Sequence, residues 1–310
     1  MEIKVIEKIL NCLYKNFKID TNTEITFEVN PEDIIEKKDL INNLKKLGIN
    51  RISFGMQSLQ KRHLNFLNRF NNIEKIKFAL EKVLKYIINV NVDIIHSIPG
   101  MNLKDISNTL KYLIKLNIPH ISSYSLIYEE ETPLFLKIEQ KKVKPLDSDE
   151  EYEQYNFIKE ILESNNYIHY EISNFAKKGY ESKHNLKYWN FQNYLGLGPS
   201  SHSMMNLVRW NNYRNIIKYN ILLNNNRLPI ENEYKLSKSH IETELIYLGL
   251  RSSGVDVQKI KYYTGINFKE KYRKSIELLT KNGFAKLFKN KFKLTKEGFF
   301  LADEIMVRYF

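Results

Sequence analysis

The sequence predicts an α/β fold built on a parallel sheet. Short β-branched or aromatic runs alternate with longer stretches of helical period from residue 25 onward. Four such runs start at 25, 51, 90 and 120. The intervals of 26, 39 and 30 residues each hold one right-handed crossover.

Taken in order, ITFEV (25–29) is the first strand, and Pro31 opens a helix whose apolar stripe is Ile34, Ile35, Leu40, Leu44 and Leu47, ended by Gly48. RISFGM (51–56) is the second strand, followed by two helical pieces within 60–87. VNVDII (90–95), closed by Pro99-Gly100, is the third, with a helix at 103–116. HISSYSLI (120–127) is the fourth, and a helix at about 150–165 leads to YIHYEI (167–172). A helix at 4–16 precedes the first strand, so the sheet is expected to begin as one whose opening is absent from this chain. From 173 to Pro229 the chain is aromatic and loop-like, without a clear period. Residues 237–310 read as helices near 239–250, 256–263 and 268–281, a hairpin turning at Lys289-Asn290 and a last helix from Lys296, a small winged-helix-like α+β unit. The expected domains are 1–175, 176–236 and 237–310.

Composition narrows the chemistry. With 43% hydrophobic and 27% charged residues the chain is globular in type, and no apolar run approaches the roughly 20 residues of a membrane span. The charged N-terminus MEIKVIEKILNCLYKNF lacks a secretory apolar region, so a cytoplasmic protein is expected. The basic excess, 48 − 36 = 12, is scattered among glutamates and selects no partner alone. A single cysteine, Cys12, excludes an internal disulfide, a Cys-rich zinc site and a cluster held by this chain's own thiolates. No two of the seven histidines are three to five residues apart, so no zinc-type ligand set and no metal ligand is expected. GLGPSSHS is not a nucleophile elbow, and no catalytic residue is assigned.

Ligands of parallel α/β folds gather at the carboxyl ends of the strands. That rule selects Glu28 and Asn30, Gln57 and Ser58, Asp93, and Ser122 to Ser125. Asp93 stands out, because a carboxylate flanked by Val92, Ile94 and Ile95 must be paired or liganded if buried. A structural ion pair is its plain alternative. In the second half, His184, Tyr188, Trp189, Tyr194, His202, Arg209, Trp210 and Tyr213 concentrate aromatic, imidazole and basic groups that suit a flat carboxylated ligand such as a porphyrin, the alternative being ordinary core packing.

FEVNP, LGINRISFGMQS, the LNR ending in Arg69, VDIIHSIPG, ISSYSL, YEISNFA, HNLKYWN and YLGLGPSSHS occur in this order, with LGLRSSGVD and LTKEGFFLAD near the end. From about residue 4 to the C-terminus the chain thereby resembles the HemW proteins, haem chaperones of the radical S-adenosylmethionine superfamily similar to HemN, the oxygen-independent coproporphyrinogen III oxidase; HNLKYW favours HemW. The resemblance implies an incomplete radical-SAM-type partial β/α (TIM-like) barrel, S-adenosylmethionine contacts at Glu28, Gln57, Arg69 and Asp93, and haem as ligand, with His184, His202, Tyr188 and Trp189 as candidate contacts. The family's C-x-x-x-C-x-x-C loop, which holds a 4Fe-4S cluster, is not in this sequence, so neither the cluster nor radical catalysis is expected of this chain alone. A haem-acceptor protein and a second copy of the chain are the protein partners considered. Two alternatives stay open: a porphyrinogen-oxidising enzyme whose start is missing, and a nucleic-acid-binding winged helix with Lys269, Lys271, Arg273 and Lys274 facing phosphate.

Overall fold

The computed structural model describes residues 2–310. The chain forms two compact units, residues 1–181 and 182–310.

The first unit runs α1 (Ile3–Asn16), β1 (Thr26–Val29), α2 (Pro31–Glu36), α3 (Leu40–Lys46), β2 (Arg51–Gln57), α4 (Lys61–Phe66), α5 (Ile73–Leu84), β3 (Val90–His96), α6 (Leu103–Lys115), β4 (His120–Ser125), α7 (Pro133–Glu139), α8 (Ser148–Ser164), β5 (Ile168–Glu171) and β6 (Asn174–Ala176). One sheet is ordered β1-β2-β3-β4-β6-β5; the first four strands are parallel, and β6 runs antiparallel to both neighbours. The four expected parallel strands and their crossover helices are all present. The helix expected over 31–47 is two, because residues 36 to 39 place nothing apolar between Ile35 and Leu40 and the backbone turns extended at Lys37.

Successive strand residues face opposite sides, and here the two sides differ in kind. Ile52, Phe54, Met56, Val92, Ile94 and Ile121 fill the face under the helices, each at most 4% exposed. The apolar stripes of α2, α3, α5 and α6 (Ile34, Leu44, Ile76, Leu80, Leu110) complete that core. α6 and α8 are started by reciprocal capping boxes, Asn102 with Asp105 and Asp147 with Glu150. The other side of the strands is polar, as detailed below.

The second unit runs α9 (Lys183–Trp189), β7 (His202–Met205), β8 (Val208–Asn212), α10 (Ile216–Asn224), β9 (Ile230–Lys235), α11 (Lys238–Leu250), β10 (Val255–Asp256), α12 (Val257–Thr264), α13 (Phe268–Lys271), α14 (Arg273–Lys281), β11 (Ala285–Phe288), β12 (Lys291–Leu294), α15 (Lys296–Phe300) and α16 (Ala302–Tyr309). The stretch expected to be loop-like contains the antiparallel sheet β7-β8-β9. The β7–β8 turn is made by Asn206 and Leu207, both at positive φ (51° and 66°), without the glycine that usually marks such a turn in sequence. The expected hairpin at Lys289-Asn290 joins β11 to β12, and β10 adds a third strand to it.

The helix expected over 268–281 breaks at Tyr272. Buried Glu242 explains the break, accepting hydrogen bonds from Lys271 Nζ (2.7 Å) and the Tyr272 hydroxyl (3.0 Å). Arg273 pairs with Glu277 at 3.1 Å. Lys269 and Lys271 thus lie on α13 and Arg273 and Lys274 on α14, with Lys271 and Arg273 already paired to carboxylates. Among the described residues no helix is long and apolar enough to cross a membrane.

Two measurements check this packing. Phe54→Ala removes a fully buried ring from the central sheet and is expected to lower unfolding free energy by about 3–5 kcal/mol, whereas Ile88→Ala, at a side chain 72% exposed, should change it by less than about 0.5 kcal/mol in urea denaturation. The buried histidines set an acid limit. Burial lowers the His96 pKa to about 4 and holds that of His120 well below its ordinary value. Both groups fold neutral, so their contribution is complete above the unfolded pKa near 6.5 and is lost as pH falls through that value toward 4. The urea midpoint should fall steadily from pH 7 to pH 5, with each histidine contributing at most about 1.4 kcal/mol per pH unit. A midpoint flat over that range would contradict their burial.

Candidate functional site

The polar side of the first unit's sheet is a register-aligned lattice. One row across the strands is Glu28, Ser53, Asn91 and His120; the next is Gly55, Asp93, Ser122 and Asn174. Asp93 is held by its own sheet. Its Oδ1 lies 2.8 Å from Asn91 Nδ2 and its Oδ2 3.0 Å from Ser53 Oγ. Burial raises its pKa above the usual carboxylate range, the hydrogen bonds from Asn91, Ser122 and Ser53 oppose that rise, and the Glu28 charge adds to it. Glu28 and Asp93 thus share one electrostatic environment from strands two apart.

Gln57 belongs to the same place through a backbone irregularity. The β2–β3 register shifts between Gly55 and Gln57, and Gln57 itself sits at φ 63°. Its amide folds back over Gly55, where an added Cβ would come within 3.0 Å of both Gln57 Nε2 and Asn30 Oδ1. Glycine is what lets the Asn30 and Gln57 side chains pack this closely over the strand beside Asp93. The segment after Gln57 is tethered: Ser58 Oγ lies 3.3 Å from His63 Nδ1, His63 Nε2 lies 3.6 Å from Asp105, and Arg62 also pairs with Asp105. Ser58 and His63 are each 2% exposed, so this serine–histidine–aspartate alignment is a clasp closed to substrate. Burial pushes the His63 pKa down, the Asp105 charge opposes that shift and the Arg62 charge adds to it. Arg69 follows α4, its backbone N–H bonded to Leu64 O at 2.8 Å and its side chain exposed.

The structure therefore brings Glu28, Gln57 and Asp93 to one polar face and leaves Arg69 on a neighbouring exposed turn. Asn91, Ser53 and His120 were not singled out in the sequence. Their signal was the alternation in RISFG, NVD and HISSY, where every second residue is polar or glycine.

In the second unit, HNLKYWN is helix and not loop: α9 starts on Ser182, whose side chain accepts from Asn185 N (3.2 Å). His184 and Tyr188 are one turn apart with ring centroids 5.0 Å apart, and Tyr188 meets Tyr194 at 4.5 Å. Trp189, adjacent to Tyr188, points about 100° away around the helix, so the two do not make one wall. Tyr188, Tyr194, His202, Met204 and Arg209 line a cavity of about 230 Å³, below the roughly 300–1,000 Å³ of most ligand pockets. Arg209 is already committed to Glu244 at 2.6 Å, which removes it as a free partner for a ligand carboxylate. Among the described residues no cluster of three or more His, Cys, Asp or Glu is arranged to hold a metal ion.

Known proteins align with both units. The Radical SAM superfamily model matches residues 2–113, and the HemN C-terminal domain model matches residues 236–301. The heme chaperone HemW of Buchnera aphidicola subsp. Schizaphis graminum is 33% identical over 280 residues, covering 88% of this chain and 72% of that protein. The heme chaperone HemW of Lactococcus lactis is 29% identical, covering 98% of this chain and 80% of the relative. Coproporphyrinogen III oxidase (HemN) from Escherichia coli, described as a radical SAM enzyme, superposes with a TM-score of 0.80 over 99% of this chain and 74% of its own, at 18% identity, a likeness of fold. The polar-faced parallel sheet, the HemN-type C-terminal domain and the identity to HemW proteins over nearly the whole length agree: the chain belongs to the HemW family of the radical SAM superfamily.

Proposed function

We propose that this protein binds haem and S-adenosylmethionine and serves in haem trafficking, with S-adenosylmethionine on the polar face of the first unit and haem against the α9 side of the second. The observation that carries the reading is that the heme chaperones HemW match this chain across both units. Support for the first ligand is the polar face of the parallel sheet, which brings Glu28, Gln57 and Asp93 together. Glu28 and Asp93 would accept hydrogen bonds from ribose hydroxyls or the amino group, and Arg69 would pair with the methionyl carboxylate as a bidentate fork. For haem, His184 supplies an exposed imidazole stacked edge-on to Tyr188, and His202 supplies a second at the mouth of the adjoining cavity. Neutral imidazole is an iron ligand and the tyrosines offer apolar cover. The cavity is too small to enclose a macrocycle, so haem would lie across its mouth, exposed enough to be passed on. A haem-acceptor protein and self-association complete the proposal.

A 4Fe-4S cluster does not fit the residues present. Cys12, exposed on α1, is the only thiol of the sequence, and clusters of this kind take several thiolates. The proposed binding functions need no step through one.

Haem titration followed at the Soret band should give one haem per chain. His184→Ala should shift the band and weaken binding about tenfold or more. An unchanged spectrum and affinity in both His184→Ala and His202→Ala would remove these histidines as ligands. Anaerobic reconstitution with iron and sulfide should yield no stable 4Fe-4S absorption; about one cluster per chain would contradict the reading of Cys12.

A further inference from the structure

The hydrogen bonds behind Asp93 form a chain whose direction is fixed by chemistry. Asn91, 4% exposed, is its hub. One end of its amide lies 2.8 Å from Ser53 Oγ and 2.8 Å from Asp93 Oδ1; the other lies 2.6 Å from His120 Nδ1 and 3.0 Å from Ser122 Oγ. An ionised carboxylate only accepts, so the end facing Asp93 is the NH2 and the far end is the carbonyl. A carbonyl also only accepts, so the proton of neutral His120 resides on Nδ1. Its bare Nε2 then accepts from the Tyr170 hydroxyl at 2.7 Å. Ser53, having accepted from Asn91, donates to Asp93 Oδ2 at 3.0 Å. Asn91 and Ser53 thus fix both oxygens of Asp93 from beneath, and the single hydroxyl proton of Ser122 serves either the Asn91 carbonyl or Asp93.

We propose that Asn91 and His120 are positioning residues that hold the Asp93 carboxylate in one orientation toward ligand, with His120 locked as the Nδ1–H tautomer. The hydrogen-bonded chain runs from the Tyr170 hydroxyl through the fully buried ring of His120 and the buried amide of Asn91. It ends at a half-buried carboxylate beside Gly55 and two strands from exposed Glu28. A network serving stability alone would be better finished by neutral groups, since burial makes the carboxylate costly. Held on central strands, the remaining lone pairs of Asp93 meet a ligand without reorganisation. Arg51 reinforces the arrangement from the row below Ser53, its charge helping to keep His120 neutral. The role assigned to Asp93 rests on the S-adenosylmethionine reading; the direction of the hydrogen bonds does not.

The test has two arms. In wild-type protein with 15N-labelled histidine, long-range 1H–15N correlation at pH 7 should show His120 with a protonated Nδ1 and a bare Nε2; the opposite tautomer overturns the assignment. In Asn91→Leu, the 13C-detected titration of Asp93 should move upward as its donor is lost, and calorimetric affinity for S-adenosylmethionine should fall about tenfold. His120→Leu should weaken binding about threefold, and His120→Gln, whose amide can again donate to Asn91, should recover most of it. Folded variants with unchanged Asp93 titration and affinity would overturn the positioning role. Wild-type protein that binds no S-adenosylmethionine would instead refute the ligand reading, while the tautomer and the Asp93 titration would still decide the inference.

Discussion

The structure depends on the two-residue period of four parallel strands. Because β1 to β4 are in register, alternation along each strand becomes alternation of whole faces, and one face is as apolar as the other is polar. The apolar face carries the stability. Ile52, Phe54, Val92 and Ile121 meet the helices there, and their burial is the large favourable quantity of the unit. The polar face carries groups that are costly to bury, and their cost is offset only through bonds to one another. A one-residue slip of β2 or β3 would exchange the faces and destroy both properties together.

The second unit is organised differently. Its ion pairs are internal ties: Glu242 with Lys271 and Tyr272 shapes the C-terminal helices, and Arg209 with Glu244 closes one wall of the aromatic cavity. These ties commit Arg209 and Lys271, two of the cations that the sequence offers to anionic ligands. α9 presents His184 and Tyr188 to solvent beside Lys183 and Lys187, and the imidazole and phenol rings are the part of that surface that suits a flat apolar ligand.

Much of the first unit was legible because hydrophobic periodicity and crossover spacing are local. The four parallel strands and Pro31 opening α2 could be read residue by residue, as could the turn at Lys289 in the second unit. Glu28, Gln57 and Asp93 were legible as polar residues at strand ends, but the left-handed backbone of Gln57 and the β2 irregularity were not, since both depend on pairing with β3. Asn91 and His120 remained hidden because an amide and an imidazole carry no message until their partners on neighbouring strands are in register. The sheet β7-β8-β9 was missed for a related reason: Asn206-Leu207 makes its turn without glycine, and α9 is too short for its period to show. Arg209 and Lys271 misled for want of their partners Glu244 and Glu242, which lie 35 and 29 residues away in sequence.

The central claim is that the polar face of the parallel sheet is the surface that receives the adenosyl ligand. Titrating S-adenosylhomocysteine into 15N-labelled protein and mapping backbone amide shifts tests it most directly. Saturable shifts are expected at Glu28, Gly55, Gln57, Asp93 and Ser122, with the helix-covered face at Ile76 and Leu110 unmoved. Shifts confined to residues 182–310, or none at millimolar ligand, would contradict it.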